Sequence, residues 1–390
     1  MSSGPVSIVL VSHSYPPVIG GSETEAQRVC AALIARGYVV KVVCAGGDPM
    51  PPLRDWIDPE GVPVRIYAGR WKGKMRDWVF ALRVAAMLIW ERRQYQIVYF
   101  LMQGVHLAAG LPVSRILGKP ILMKVGGSGV IPLMARSAIG RLELRWLREW
   151  AYRVMILNDG MQQEAIEDGF VPHQLYWMPN PVDTDKFAPV DSIARRERRA
   201  QFGIPADARV VLYCGRLAPE KALPSLIEAF ARVVRRIPDA VLVLVGDGPL
   251  LTLLSQQAAQ LHLPETSVRF VGRVSPPEVA DWLEIADVFT LVSPSEGFPC
   301  ALAEAMSVGL ASVVSDIPGN RQLIDDGRHG LLVPVGDAEA IAAALIELLE
   351  DTPLRERMGE EARKRVLENY STAKIADRYE ALFRDAMNGK

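Results

Sequence analysis

Two glutamates frame the stretch of this chain whose residue types and spacing suit chemistry best. Residues 293–306 read Ser-Pro-Ser-Glu-Gly-Phe-Pro-Cys-Ala-Leu-Ala-Glu-Ala-Met and follow the strand-like run Val288–Val292. Glu296 falls in a loop, and Gly297 beside it has no side chain to keep a ligand off the backbone. Pro299 suits the first helical position, where its missing N–H costs nothing. A helix is therefore expected from about Pro299 to Val308. Its first turn presents backbone donors that no helical carbonyl takes, together with the positive end of the dipole, which favours phosphate. Glu304 sits roughly 7–8 Å further along the axis, at ~1.5 Å per residue. Carboxylates before and beyond an anion site suit a ligand with hydroxyls on both sides of a diphosphate. A nucleotide-sugar has that layout.

Other segments add cations and tight turns. Tyr213-Cys214-Gly215-Arg216-Leu217-Ala218-Pro219-Glu220-Lys221 ends a strand and supplies two cations in the loop after it. Arg216 has the fork geometry for phosphate oxygens and Lys221 adds a point charge; a solvated pair at a helix start is the alternative. Val245–Leu250, around Gly246, and Phe270–Val274 are glycine turns whose backbone could read a base or serve structure alone. Gly20-Gly21 precedes a long helix and is a further anion or sugar contact, or simply a flexible loop. Asp183-Thr184-Asp185 has no His or third acid nearby, too few oxygens for a divalent ion. His13 and His106 are lone histidines near strand ends. Each is open to a ligand role or to structural hydrogen bonding.

The elements that must carry these loops are short apolar β-branched runs alternating with helical patterns. Strands are expected at Val6–Val11, Val39–Cys44, Val62–Tyr67, Ile97–Leu101, Pro120–Val125, Val154–Leu157 and Gln174–Met178. A second set follows at Arg209–Cys214, Ala240–Val245, Ser267–Val271, Val288–Val292, Ala311–Val314 and Gly330–Val333. Such runs between helices indicate buried parallel strands, here in two doubly wound α/β domains. The stretch 180–208 has no strand pattern and carries the basic run Arg195–Arg199, so the domains divide as 1–190, 191–370 and a last helix, 371–390.

Composition narrows the class. The 390 residues are 49% hydrophobic and 23% charged, with a net charge of −1, which argues against a nucleic-acid binder. Up to residue 190 there are 21 Lys+Arg against 16 Asp+Glu, and beyond it 23 against 29. Four scattered cysteines suit a reducing cytosol. Val6–Val11 has no cationic segment before it, and Trp78–Trp90 is interrupted by Arg83 and short for a bilayer span. A soluble cytoplasmic protein is expected. Trp71–Trp78 and Arg141–Arg148 mix cations with aromatics, a pattern of peripheral contact with anionic headgroups at the inner membrane face, or of an ordinary amphipathic helix.

Taken in order, Gly20-Gly21, Asn180–Asp183, Gly215-Arg216 with Glu220-Lys221, Val245–Pro249, Phe270–Val274, Glu296–Pro299 with Glu304, and Asp326-Gly327 with Gly330–Pro334 resemble retaining glycosyltransferase family 4 (glycosyl transferases group 1). The resemblance implies a GT-B fold of two facing Rossmann-like domains, with C-terminal helices crossing back to the N-terminal one. It implies that Glu296 holds donor-sugar hydroxyls, with the backbone of Gly297, Phe298 and Pro299 on the same sugar. Arg216 and Lys221 would neutralise the diphosphate, aided by the backbone around Cys300, Ala301 and Leu302. Glu304 would bind the ribose, Val274 and the Gly246 turn would lie by the nucleotide, and Gly20-Gly21 would close over the diphosphate. With these cations and the helix dipole no metal or other cofactor is expected. Configuration would be retained by same-face attack.

Two departures stand out. Many family members carry a histidine on the donor sugar where Met123–Gly129 has Gly126, leaving Lys124, Ser128 or backbone to substitute, with His106 a further sugar or acceptor contact. A frequent family glutamate is Gln322 here. The expected function is transfer of a hexose-type sugar from a UDP- or GDP-sugar to a hydroxyl acceptor, lipid-linked or part of an envelope glycan. The alternatives are a non-catalytic nucleotide-sugar binder and a same-fold phosphorylase or epimerase.

Overall fold

The computed structural model describes residues 5–18, 20–46, 55–69 and 71–389. The chain forms two units: residues up to Pro181 with Thr372 onward, and Val182–Ser371. The basic run 195–199 lies in a helix of the second unit, Ser192–Gln201. It is anchored by Arg199, whose buried guanidinium meets Ile285 O at 2.7 Å and Asp287 Oδ2 at 2.8 Å.

Unit 1 is built on β1 (Ser7–Ser12), β2 (Val39–Cys44), β3 (Asp55–Ile57), β4 (Pro63–Ile66), β5 (Ile97–Leu101), β6 (Ile121–Lys124), β7 (Arg153–Ile156) and β8 (Leu175–Trp177). Among the described residues they form one sheet in the order β3-β4-β2-β1-β5-β6-β7-β8. Every pairing is parallel except β3 with β4. The strand β3 has no counterpart among the sequence expectations. It is three residues long with two of them exposed, so no apolar run marks it. Ile375, Tyr379, Leu382 and Phe383 of the helix Thr372–Asn388 share one core with Ile8, Leu10, Val29 and Leu33. The C-terminal helix thus completes the unit in which the chain began.

Unit 2 holds β9 (Arg209–Cys214), β10 (Ala240–Val245), β11 (Val268–Gly272), β12 (Val288–Leu291), β13 (Ala311–Ser315) and β14 (Gly330–Val333). Their order is β11-β10-β9-β12-β13-β14. The run Ala240–Val245 is buried throughout, which β-branched and leucine residues tolerate only when helices cover both faces of a parallel sheet. Leu223–Arg236 is one such helix: Leu226, Ile227, Phe230 and Val233 face the core while Arg232, Arg235 and Arg236 stay in water. From β9 the next strands run outward in opposite directions. The gap between the carboxyl ends of β9 and β12 is therefore a switch point, where open α/β sheets bind ligands.

Candidate active site at the unit 2 switch point

The loops after β9 and β12 meet at that point. Lys221 closes the short turn Pro219–Lys221, and Ala222 behind it is left-handed at φ 50° before the helix Leu223–Arg236 begins. A non-glycine residue rarely adopts that conformation; here it aims the lysine back across the sheet end. Lys221 Nζ reaches Glu296 Oε1 at 2.6 Å, with the side chains 22% and 12% exposed. Arg216 takes a different partner, the Glu220 carboxylate on the surface. The buried Tyr213 hydroxyl donates to Arg216 O at 3.0 Å and so fixes the loop's first bend. Burial, with the Glu296 charge second, pushes that phenol above its ordinary range.

Two glycines allow the backbones to converge. A Cβ on Gly246, at φ 136°, would fall 1.9 Å from Gly215 O, where Gly215 N donates to Val245 O at 2.9 Å. A Cβ on Gly319 would fall 2.3 Å from Glu296 O. Gly319 lies in Pro318–Arg321, beyond β13, and acts on the Glu296 loop through space; nothing in its local sequence links it to that loop.

The helix expected after Glu296 runs Cys300–Val308, with Pro299 as its N-cap at ψ 83° rather than its first residue. The turn out of Glu296 leaves Pro299 outside helical geometry, at φ −78° and ψ 83°, so the helix starts one residue later. Phe298 turns inward, its ring 5.7 Å from that of Tyr370. Leu302 is wholly buried. Glu304 is half-buried. Burial first and the Glu304 charge second raise the Cys214 thiol to about 12, which places Glu304 by the end of β9. Val274 follows β11 in the loop, and Gly246 N donates to Gly272 O at 2.9 Å, tying the ends of β10 and β11 together. Asp183 Oδ1 accepts the Lys186 N–H at 3.0 Å, a local turn.

In unit 1 the expected contacts disperse. Lys124 is turned inward, 1% exposed, on the Glu25 carboxylate and 2.9 Å from Asn180 Oδ1. Its position at the end of a central strand puts the ammonium in the interior, and as a sugar contact it is withdrawn. Gly20 is the N-cap of the helix Gly21–Ala35. The Glu23 carboxylate folds back against it, bonded by Ser14 Oγ at 2.5 Å, so this helix start already carries a negative charge. Ser128 lies 3.4 Å from Asn158 Nδ2. Gly126 and His106 lie at the carboxyl end of the sheet with Gln103, a residue the sequence reading passed over because no pattern surrounds it.

Comparison with known proteins agrees with this fold. The family model described as "Glycosyl transferase 4-like domain" matches residues 20–181, and "Glycosyl transferases group 1" matches residues 194–365. The chain is 34% identical to N-acetyl-alpha-D-glucosaminyl L-malate synthase of Bacillus anthracis, over 49% of this chain and only 50% of that one. It is 28% identical to UDP-Gal:alpha-D-GlcNAc-diphosphoundecaprenol alpha-1,3-galactosyltransferase of Escherichia coli, over 72% and 73% of the two chains. Among solved structures, Anabaena Alr3699/HepE with UDP superposes with a TM-score of 0.82 at 20% identity, over 97% of this chain and 100% of that one. Both units carry Rossmann-like sheets, and the chain belongs to the group 1 glycosyl transferases of family 4, with the GT-B fold.

Proposed function

We propose that the protein is a retaining hexosyltransferase that uses a UDP- or GDP-sugar and a hydroxyl acceptor. The observation that carries this reading is the Lys221–Glu296 contact at 2.6 Å beside the start of the helix Cys300–Val308. A cation, a sugar-binding acid and phosphate-binding backbone are gathered at one switch point. The acceptor oxygen forms a bond to the sugar C1 as the bond from C1 to the diphosphate oxygen breaks. The acceptor's proton passes to the departing phosphate oxygen on the same face. Charge grows on the diphosphate during this step, and prearranged donors and cations stabilise it as it forms. Lys221, Arg216 and the helix N-terminus supply that field, so no metal is required. A donor panel scored for release of nucleoside diphosphate, with and without chelator, tests this. Donor binding with no release across an acceptor panel would make the protein a non-catalytic binder.

The E. coli relative is named for a UDP-sugar donor and a diphosphoundecaprenol-linked acceptor, which supports a lipid-linked acceptor here. Among the described residues no helix is long and apolar enough to cross a membrane. The helix Gly73–Trp90 and the residues before it expose Trp71, Met75, Trp78, Leu82 and Trp90 near Lys72 and Lys74. That face suits peripheral contact with anionic lipid on the cytoplasmic side. Co-sedimentation with anionic vesicles at low salt checks it, and protein left in the supernatant would remove the membrane from the proposal.

A further inference from the structure

Tyr370 is the C-cap of the helix Thr352–Asn369 and is 2% exposed. Its backbone is tied on both sides. The Tyr370 N–H donates to Val366 O at 2.8 Å, and its carbonyl accepts the Val182 N–H at 2.8 Å. Val182 and Ser371, the first and last residues of unit 2, are bridged as well. With N–H and C=O both committed, the aim of the ring is left to two side-chain torsions, and close packing around a buried ring fixes those.

The side chain reaches two segments. Its hydroxyl donates to Gln322 O at 2.6 Å. Its ring lies 5.7 Å from that of Phe298, at an interplanar angle of 47°, a separation at which tilted aromatic pairs attract. Phe298 is itself 7% exposed, so the two rings meet inside unit 2.

Both segments lead to Glu296. Phe298 stands two residues after it, a span of at most ~7 Å of chain. Gln322 is the C-cap of the turn Pro318–Arg321, in which a Cβ on Gly319 would fall 2.3 Å from Glu296 O. That turn is pinned to the sheet, because the buried Asn320 donates from Nδ2 to Ser315 O at 2.7 Å, at the end of β13. Arg365 Nη2 shares the Gln322 carbonyl at 3.0 Å, and its Nη1 meets Asp325 Oδ2 at 2.7 Å. The Glu296 loop is thus held at Phe298 and against Gly319, and the Tyr370 side chain spans the two supports. The connection uses the backbone of residue 322, so glutamine at that position leaves it intact. A carboxylate on a loop keeps a productive position when the side chains behind it are locked by packing and hydrogen bonds.

We propose that Tyr370 is a positioning residue for the transfer reaction: its ring, steadied by the hydroxyl on Gln322 O, seats Phe298 and so sets the Glu296 carboxylate. The brace follows from the contacts alone, while its effect on turnover rests on the glycosyltransferase reading and on Glu296 as the acid that holds the sugar.

The test uses the full-length chain. Tyr370→Leu should lower kcat about tenfold or more and leave UDP or GDP affinity within about twofold, the pattern of an interaction made in the transition state. Tyr370→Phe keeps the ring, and Arg365 still holds the Gln322 carbonyl, so kcat should return to within about threefold of wild type. A phenylalanine variant as slow as the leucine one would overturn the ring as the brace. The deciding measurement is a double-mutant cycle with Glu296→Ala. If Tyr370 acts through Glu296, adding Tyr370→Leu to Glu296→Ala lowers kcat by less than about twofold further. A residue that merely fills the core lowers both backgrounds by the same factor, and equal factors would overturn the proposal, as would wild-type kcat in Tyr370→Leu. Should Tyr370→Leu fail to fold by circular dichroism, Phe298→Leu takes its place in the cycle with the same two outcomes. Should wild type turn over no donor, the glycosyltransferase reading fails separately, and amide hydrogen exchange decides the brace. Tyr370→Leu, or Phe298→Leu in its place, should then speed exchange at Glu296, Gly297 and Phe298 about tenfold or more and leave β10 unchanged. Unchanged exchange in the loop, or the same increase throughout β10, would overturn it.

Discussion

Lys221 Nζ and Glu296 Oε1 are 2.6 Å apart, so the cation assigned to the diphosphate and the acid assigned to the sugar hold each other in place. Their roles nevertheless separate under mutation. Glu296→Ala should lower turnover by about 10²–10³, the scale for losing one preorganised polar contact in a transition state, while leaving UDP or GDP affinity nearly intact. Lys221→Ala should weaken both. Calorimetric titration of the nucleotides beside steady-state rates checks the pair, and equal activity in either variant would contradict the assignment.

Gly319 tests the Glu296 loop from the other side. An added Cβ 2.3 Å from Glu296 O must displace that backbone, and a misplacement of about 1 Å can reduce rate on the order of 10²-fold. Gly319→Ala should therefore lose turnover with little change in fold by circular dichroism. Gly336→Ala is the control: its φ is 76° but its Cβ would meet nothing within 4 Å. It should lose roughly 1–2 kcal/mol of stability and keep its rate.

The Glu25–Lys124 pair predicts a stability effect. Both side chains are nearly inaccessible, and the Tyr379 hydroxyl donates to Glu25 at 3.0 Å from the C-terminal helix. Removing one partner of a buried pair strands the other charge, at a cost of about 3–5 kcal/mol. Lys124→Met should lower the melting temperature sharply and speed amide exchange in the helix Thr372–Asn388. Adding Glu25→Leu should restore much of the loss. A single variant as stable as wild type would show that the pair does not hold this helix.

Glu143 predicts a pH dependence. It is 4% exposed, and burial raises its pKa from 4.5 to about 7. The folded protein therefore holds this proton more tightly than the unfolded chain, so stability declines as pH rises from 4.5 through about 7. Glu143→Gln should flatten that part of the melting profile. An unchanged slope in the variant would assign the effect elsewhere.

Much of this was legible along the chain because it is local. Runs such as Ala240–Val245 are apolar enough to be strands only inside a two-sided sheet, and the order of glycine, basic and acidic motifs marked the family. Glu296, Lys221 and Glu304 were named from their own neighbours in sequence. The strand Asp55–Ile57 was not, since an edge strand with two exposed residues needs no apolar pattern. The basic run 195–199 read as a connection, because only its contacts with Ile285 and Asp287 make it part of unit 2.

By itself the sequence determined the element types, their alternation and the residue chemistry at the carboxyl ends of the strands, for these depend on side-chain pattern over a few positions. Tertiary structure decided which of those residues meet. It paired Lys221 with Glu296 and left Arg216 to Glu220, since strand order decides which loops converge at the switch point. It turned Lys124 inward onto Glu25 and set Gln103 beside Gly126. The Lys221–Glu296 and Lys124–Glu25 contacts join residues far apart in the chain, and only the packing of the sheet and its helices brings them within bonding distance.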